Sequence, residues 1–427
     1  MATGTYFKDR KAEEVTEQVL TTSSIVTRGR SRAKAVQELL EVDRHGSKKT
    51  ENRLIAGDNR KILHSLLSDP TVAGRVQLIY IDPPYATGFD FESATVGPAY
   101  QDRTQGTEYF AALRERVLLM HALLSKTGSF YIHLDHNAVF GAKLLLDEIF
   151  GPQNFRNMIT RIKCNPKNQV SKQYGDVCDY ILFYTKSNKY TWHAPVVAWV
   201  DGEGEREYTC VEPGTGRRYK KVPCHLPGTR NGATGSKWRG KLPPKGKHWV
   251  HSPAELDRLD AEGRIYWSRN GNPRRKLYLD ETEGRRRQNI WTDYRDTQNQ
   301  NARVTGYPTE KNLDMLRMII KTSSNEGDLV LDAYAGSGTT LAAASAENRS
   351  WIGIDSSTTA IRVCKERLLK GTPRMGSHAR DTFIKRTDDE RDSEPISFRY
   401  FERTVTESKP KSVAGSKTEP ELSLVAL

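Results

Sequence analysis

Leu78-Ile79-Tyr80-Ile81-Asp82-Pro83-Pro84-Tyr85 is a short apolar run that stops at an acid, two prolines and an aromatic ring. Val76 to Ile81 read as a buried strand: the residues are mostly apolar, partly β-branched, and closed by prolines that a helix interior rejects. The strand delivers Asp82 to its carboxyl end, the edge where open α/β sheets bind ligands. A carboxylate, a stiff backbone and a ring at that edge suit a planar substrate. Asp before Pro is also an ordinary way to leave a strand, so the meaning of the stretch depends on the rest of the chain.

Outward from it, strands and helices alternate. Leu54 to Asn59 predicts a strand and turn, with Asp58 or Asn59 capping a helix through Leu67. Residues 86–106 show little periodicity and predict a mobile loop. Glu108 to Leu124 carries Phe110, Leu113, Val117, Met120 and Leu123 at helical spacing, ended by Gly128. Ser129 to Leu134 predicts a strand ending at Asp135, a helix follows from Asn137 to Phe150, and Asp179 to Tyr184 is another buried strand. Further on, Lys311 to Lys321 predicts a helix, and Leu329 to Leu331 and Trp351 to Ile354 predict strands. This alternation predicts an α/β fold built on a doubly wound sheet.

Composition narrows the function. The chain has 427 residues, 36% of them hydrophobic, and no apolar run approaches the roughly 20 residues of a membrane span. Met1 to Arg10 lack a signal-peptide core, so a cytoplasmic protein without membrane association is expected. The five cysteines, Cys164, Cys178, Cys210, Cys224 and Cys364, form no CxxC pair, and no metal is expected. A net charge of +13 favours a polyanionic partner. Gly214 to Val250 concentrates that charge, with ten Lys or Arg residues and no Asp or Glu. Among them Arg217, Arg218, Lys220, Lys221, Lys237, Arg239 and Lys241, with Trp238, are candidates for contacting a nucleic acid: cations neutralise phosphates while aromatic groups reach bases. Arg274-Arg275-Lys276 and Arg285-Arg286-Arg287 add a second basic cluster.

A second half-site follows. Leu329 to Leu331 runs into Asp332-Ala333-Tyr334-Ala335-Gly336-Ser337-Gly338-Thr339-Thr340, then a helix, then a strand ending at Asp355. Strand, glycine turn, helix and a distal acid make a nucleoside-binding unit, the glycines admitting the ligand and the acid accepting from ribose hydroxyls. Leu341 stands where a dinucleotide motif needs its third glycine, and no P-loop Lys is present. Asp332 would repel a pyrophosphate but suits a cationic amino group, so S-adenosylmethionine fits best, with Tyr334 packing against it.

Taken together, these residues resemble the amino-methylating DNA methyltransferases of the permuted β class, especially modification subunits of type III restriction systems. In that class Asp-Pro-Pro-Tyr comes first, the target-recognition region next and the cofactor motif last, as here. Thr305 to Asn312 resembles the segment before the cofactor strand, and implies Thr309 and Lys311 near the methionine carboxylate. Tyr131 to Asp135, Leu144 to Gly151, Gln288 to Asp293 and Trp351 to Asp355 resemble further segments. Ala333 and Tyr334 replace the usual Pro and Phe, and Glu310 and Asn312 the usual Gln and Pro.

The resemblance implies a Rossmann-like, circularly permuted methyltransferase sheet with an inserted recognition region. The spans are an N-terminal arm (1–51), a catalytic half (52–190), a recognition insertion (191–300), a cofactor half (301–371) and a partly disordered extension (372–427). It implies Asp82, Pro83, Pro84 and Tyr85 as catalytic residues. Asp332, Tyr334, Gly336, Gly338, Thr339, Asp355, Thr309, Lys311 and Asp58 form the cofactor set. Methylation of adenine N6 in double-stranded DNA is expected. Cytosine N4 methylation and a non-catalytic DNA-specificity subunit are the alternatives. A homodimer and a restriction or defence partner are carried from the family, although no nuclease or helicase motif occurs in this sequence.

Overall fold

Val76–Ile81 is buried at every position, which a strand achieves only with neighbours on both sides and helices on both faces. The computed structural model describes residues 39–46, 50–84, 90–93, 97–101, 106–166, 172–296, 305–308, 310–372 and 395–403. The main sheet comprises β1 (Leu39–His45), β2 (Arg53–Ala56), β3 (Val76–Ile81), β4 (Leu124–Leu134), β5 (Phe155–Ile162), β6 (Cys178–Thr185), β7 (Ile290–Trp291), β8 (Leu329–Asp332), β9 (Ser350–Asp355) and β10 (Phe398–Arg403). Their spatial order is β1-β10-β2-β9-β8-β3-β4-β6-β5-β7. The six strands from β10 to β4 are parallel, while β1 and β6 run against their neighbours.

Among the described residues six helices cover this sheet: α1 (Asn59–Leu67), α2 (Gly106–Leu123), α3 (Val139–Phe150), α4 (Leu313–Ser323), α5 (Thr339–Ala346) and α6 (Thr358–Lys370). Alternate residues of β3 divide between two cores. Ile79 and Ile81 join Leu63 of α1, Val117 of α2 and Leu145 of α3. Leu78 and Tyr80 join Leu316 of α4, Leu341 of α5 and Ile361 of α6. The sheet is therefore wound on both faces, as its alternating pattern predicts.

Local differences have local causes. Helix α2 stops at Leu123 and β4 starts at once at Leu124, so Gly128 lies inside a strand and ends no helix. There a Cβ would come within 2.8 Å of Leu124 Cδ2. Within 86–106, expected as an irregular loop, Asp90–Ser93 and Gly97–Gln101 pair as an antiparallel hairpin. Residues 39–45 of the N-terminal arm enter the sheet as β1, and residues 398–403 of the C-terminal extension form β10 between β1 and β2. Phe398 of β10 is wholly buried and lies against Trp351.

The second unit runs His193–Asn289. It has a four-stranded antiparallel sheet in the order Cys210–Val211, Arg218–Pro223, Pro273–Tyr278, Ile265–Trp267. A helix, Pro253–Ala261, is capped by the Ser252 side chain. Cys224, Trp238, Trp249, Leu256, Leu259 and Ile265 form a separate core, with Trp267 packed on it. Trp238, expected to reach DNA, is 2% exposed and its Nε1 donates to Asp257 Oδ1 at 2.8 Å. It holds this unit together and presents no face to a base. Trp238→Ala is expected to destabilise the unit by about 3–5 kcal/mol in urea unfolding, as for other large aromatic truncations; a stability change within about 0.5 kcal/mol would instead mark a surface side chain.

Candidate active site

β8 and β3 lie parallel, with Leu331 opposite Ile79. From β8 the chain winds through α5 to β9 on one side, and from β3 through α2 to β4 on the other. Such a reversal leaves a crevice at the carboxyl ends of the strands. Four carboxylates follow four consecutive strands there: Asp58 after β2, Asp355 ending β9, Asp332 ending β8 and Asp82 after β3. All four line one cavity of ≈ 910 Å³.

The glycine turn shapes one wall. Gly336 has φ +50° and Gly338 φ +77°, conformations that side chains resist. Gly336 lines the cavity. Gly338 is instead a packing glycine, since a Cβ there would stand 2.5 Å from Cys364 Sγ of α6. Asp355 accepts the amides of Gly336 and Ser357, each at 2.8 Å, and so anchors the turn itself. Tyr334 and Thr339 line the cavity, and the Thr339 hydroxyl receives Arg367 Nη1 at 2.8 Å.

The electrostatics are acidic. Asp332 is 2% exposed and accepts the Tyr334 amide at 2.9 Å. Burial, with the charges of Asp82 and Asp355, pushes its carboxyl up to about 7, against the Thr340 hydroxyl and the Tyr334 amide. Burial also raises Asp355 despite the amides it accepts. A buried carboxyl raised by neighbouring carboxylates in this way favours a positively charged ligand.

Lys311 lines the same cavity. Its Nζ lies 2.7 Å from Asp82 Oδ2, with the side chains 9% and 19% exposed. The resemblance implies a position near the methionine carboxylate; the structure sets the ammonium on Asp82. The preceding Glu310 is buried and anchors the segment: Oε2 accepts the Thr305 amide at 2.8 Å, and Oε1 accepts Arg367 Nη1 at 2.9 Å. Arg367, from α6, thereby joins this segment to the glycine turn. Sequence reading missed Arg367, and also Arg116, whose Nε donates to Asn59 Oδ1 at 2.6 Å while Asn59 Nδ2 donates to the Ala333 carbonyl at 2.9 Å. A basic residue inside an apolar helical stripe, as Arg367 is, was the available signal. Pro83 is buried and Pro84 half-buried; Tyr85 and Thr309 lie outside the described residues.

In the second unit, several expected DNA contacts are occupied internally. Arg217 Nε donates to Asp280 Oδ2 at 2.7 Å, and its Nη2 reaches Glu281 at 2.9 Å. Lys220 pairs with Glu207, Arg239 with Asp257 and Asp260, and Lys241 donates to the Gly271 carbonyl. The acid partners lie outside the 214–250 window. Arg218, Lys221 and Lys237 have no carboxylate partner among the described residues.

The DNA methylase family matches residues 76–366. The Enterobacter cloacae type II methyltransferase M.EcaI is 42% identical over 341 residues, covering 79% of this chain and 74% of that protein. The Salmonella typhimurium type III restriction-modification enzyme StyLTI Mod subunit is 26% identical, covering 71% of this chain and 51% of its own length. The Escherichia coli DNA adenine methyltransferase YhdJ is 26% identical, covering 69% of this chain and 77% of that protein. With the switch-point cavity and its two acidic half-sites, these matches show that the chain belongs to the DNA methylase family and is an S-adenosylmethionine-dependent DNA methyltransferase.

Proposed function

We propose that the methylated atom is the exocyclic N6 of an adenine turned out of double-stranded DNA. The observation that carries this reading is that Asp82 lines the same cavity as Asp332 and Asp355. An exocyclic amine is a weak nucleophile because its lone pair is delocalised into the ring. A carboxylate accepting one amino hydrogen, with the Pro83 carbonyl accepting the other, localises that lone pair. Proton removal follows late, once the nitrogen has become acidic, with Asp82 as acceptor. The base has to leave the duplex to reach a site at a sheet edge. In the resemblance, an acid at the first position goes with adenine and Ser more often with cytosine. Cytosine N4 methylation is the second reading, since the same acceptors serve either amine.

The cavity suits S-adenosylmethionine on its own chemistry, its buried carboxylates calling for a cation. When bound, the cofactor supplies an electrophilic methyl group carried on a sulfonium. Asp332 would take its ammonium group, Asp355 and the Gly336 turn its nucleoside portion, and Tyr334 would pack against it. Pro84 stiffens the segment after Asp82, and Tyr85 is assigned to stacking on the base. Residues 191–300 would serve target recognition, in a restriction-modification protein of the cytoplasm acting as a homodimer.

For DNA contact we favour one face of the second unit's sheet. Lys221 Nζ lies 3.8 Å above the Tyr266 ring, and Arg274 is opposite both Pro223 and Tyr266 in the ladder. Burial, Lys247 and Arg274 together hold His225 below its ordinary value. Cations thus converge there, and Lys221, Lys247 and Arg274 have no carboxylate partner among the described residues, a gap that phosphates would fill.

Asp82→Ala is expected to abolish methyl transfer and leave cofactor binding largely intact; mass spectrometry of digested DNA should show N6-methyladenine for the wild type, and N4-methylcytosine would select the second reading. Replacing Lys221, Lys247 and Arg274 with Ala should flatten the salt dependence of DNA binding by about 2–3 in log–log slope, and Arg217→Ala should leave it unchanged. For Asp332, cofactor affinity measured by calorimetry should fall as pH drops below about 7. The same raised value works against the fold. Stability is undiminished below the unfolded value of about 4 and is lost as pH rises toward the folded value. Asp332→Asn should therefore melt above the wild type at pH 8, converge with it near pH 4, and bind cofactor more weakly.

A further inference from the structure

Tyr80, two residues before Asp82, is 1% exposed and lines the cavity. Its hydroxyl lies 2.8 Å from His133 Nδ1 on β4. His133 Nε2 lies 2.9 Å from Asp179 Oδ2 on β6, and Asp179 Oδ1 lies 3.4 Å from Arg161 Nε on β5. Arg161 Nη2 in turn pairs with Asp296, beyond β7. These polar side chains therefore form a chain across β3, β4, β6 and β5, which are neighbours in that order. His133 and Arg161 are wholly buried and Asp179 is 4% exposed.

Burying charges costs several kcal/mol each by desolvation, and apolar residues of similar volume would commonly serve stability as well. Methyl transfer as described above uses none of these groups. Their effect falls at the end of β3. The ladder to β8 stops at Ile79 and the ladder to β4 stops at Ile81, so Asp82 projects past the last backbone tie on either side. The polar chain continues cross-strand anchoring where the ladders end. With a carboxylate facing Nε2, that nitrogen carries the imidazole proton, Nδ1 is the acceptor, and Tyr80 donates.

We propose that Tyr80, held by His133 and Asp179, is a positioning residue that fixes the end of β3 and so aims the Asp82 carboxylate at the target amine. The inference rests on Asp82 as the amine's acceptor. His133 accepts from Tyr80 when its Nδ1 is neutral. Burial lowers the His133 pKa and Lys311 adds to that, while Asp179 and Asp82 raise it; Arg161 and Tyr80 complete the polar groups around it.

Tyr80→Phe removes only the hydroxyl. In single-turnover methyl transfer at saturating cofactor, it should lower the rate between about 10- and 100-fold, the scale of a small misplacement of a reacting group. Binding constants for S-adenosylmethionine and DNA should hold. His133→Gln, which can accept from Tyr80 and donate to Asp179, should keep part of the rate that His133→Ala loses. A wild-type rate for Tyr80→Phe, a cofactor Kd that rises in step with its lost rate, or a His133→Gln no faster than His133→Ala would each overturn the proposal. Asp82→Ala separates the two levels: its remaining active would sink the acceptor reading, whereas an inactive Asp82→Ala beside a fully active Tyr80→Phe would overturn the positioning role alone.

Discussion

The parallel pairing of Leu331 with Ile79 is the constraint on which the catalytic edge depends. It sets β8 beside β3 at the point where the winding reverses, and so brings Asp332 and Asp82 to one cavity. The neighbouring strands extend the row with Asp355 and Asp58. Buried carboxylates set side by side oppose one another's ionisation, as the raised carboxyl of Asp332 indicates. Cofactor affinity and some loss of intrinsic stability thus arise from the same carboxylates, a familiar tension at active sites.

Buried ionic contacts recur where precision is needed. Arg367 joins Glu310 to Thr339, Lys311 meets Asp82, and Arg161 stands between Asp179 and Asp296. The first two join segments far apart in the chain at the cavity, and the third ties neighbouring strands to the segment after β7. Directional contacts hold a loop at a fixed distance and angle, whereas apolar packing leaves it room to slide.

The central architecture was legible because it rests on periodicity and abrupt stops: the apolar run ending at Asp82, the glycine turn after Asp332, the strand ending at Asp355. Strands β1 and β10 were not, because their short segments carry mixed, charged sequences and gain their place only by pairing with each other and with β2. Local composition misled most in the second unit. A window without acids reads as a free basic surface, yet Glu207, Asp257, Asp260, Asp280 and Glu281 fold back onto its cations. Trp238 has the same lesson in apolar form, since an interleaved aromatic looks alike in a core and on a binding face. The positions of Lys311 and His133 depended on side-chain reach across strands, which spacing along the chain does not encode.

The permuted connectivity also bears on how the chain reaches its native state. The strands that must adjoin at the cavity are separated by about 250 residues, and closing so long a loop is a late, entropically expensive event. Until β8 arrives from the ribosome, β3 has an open apolar edge, while the second unit already has every strand of its own sheet. Emergence of the C-terminal third therefore closes the sheet and creates the methyl-donor pocket in the same step, so a nascent or prematurely ended chain holds Asp82 but has no reactant for it to use.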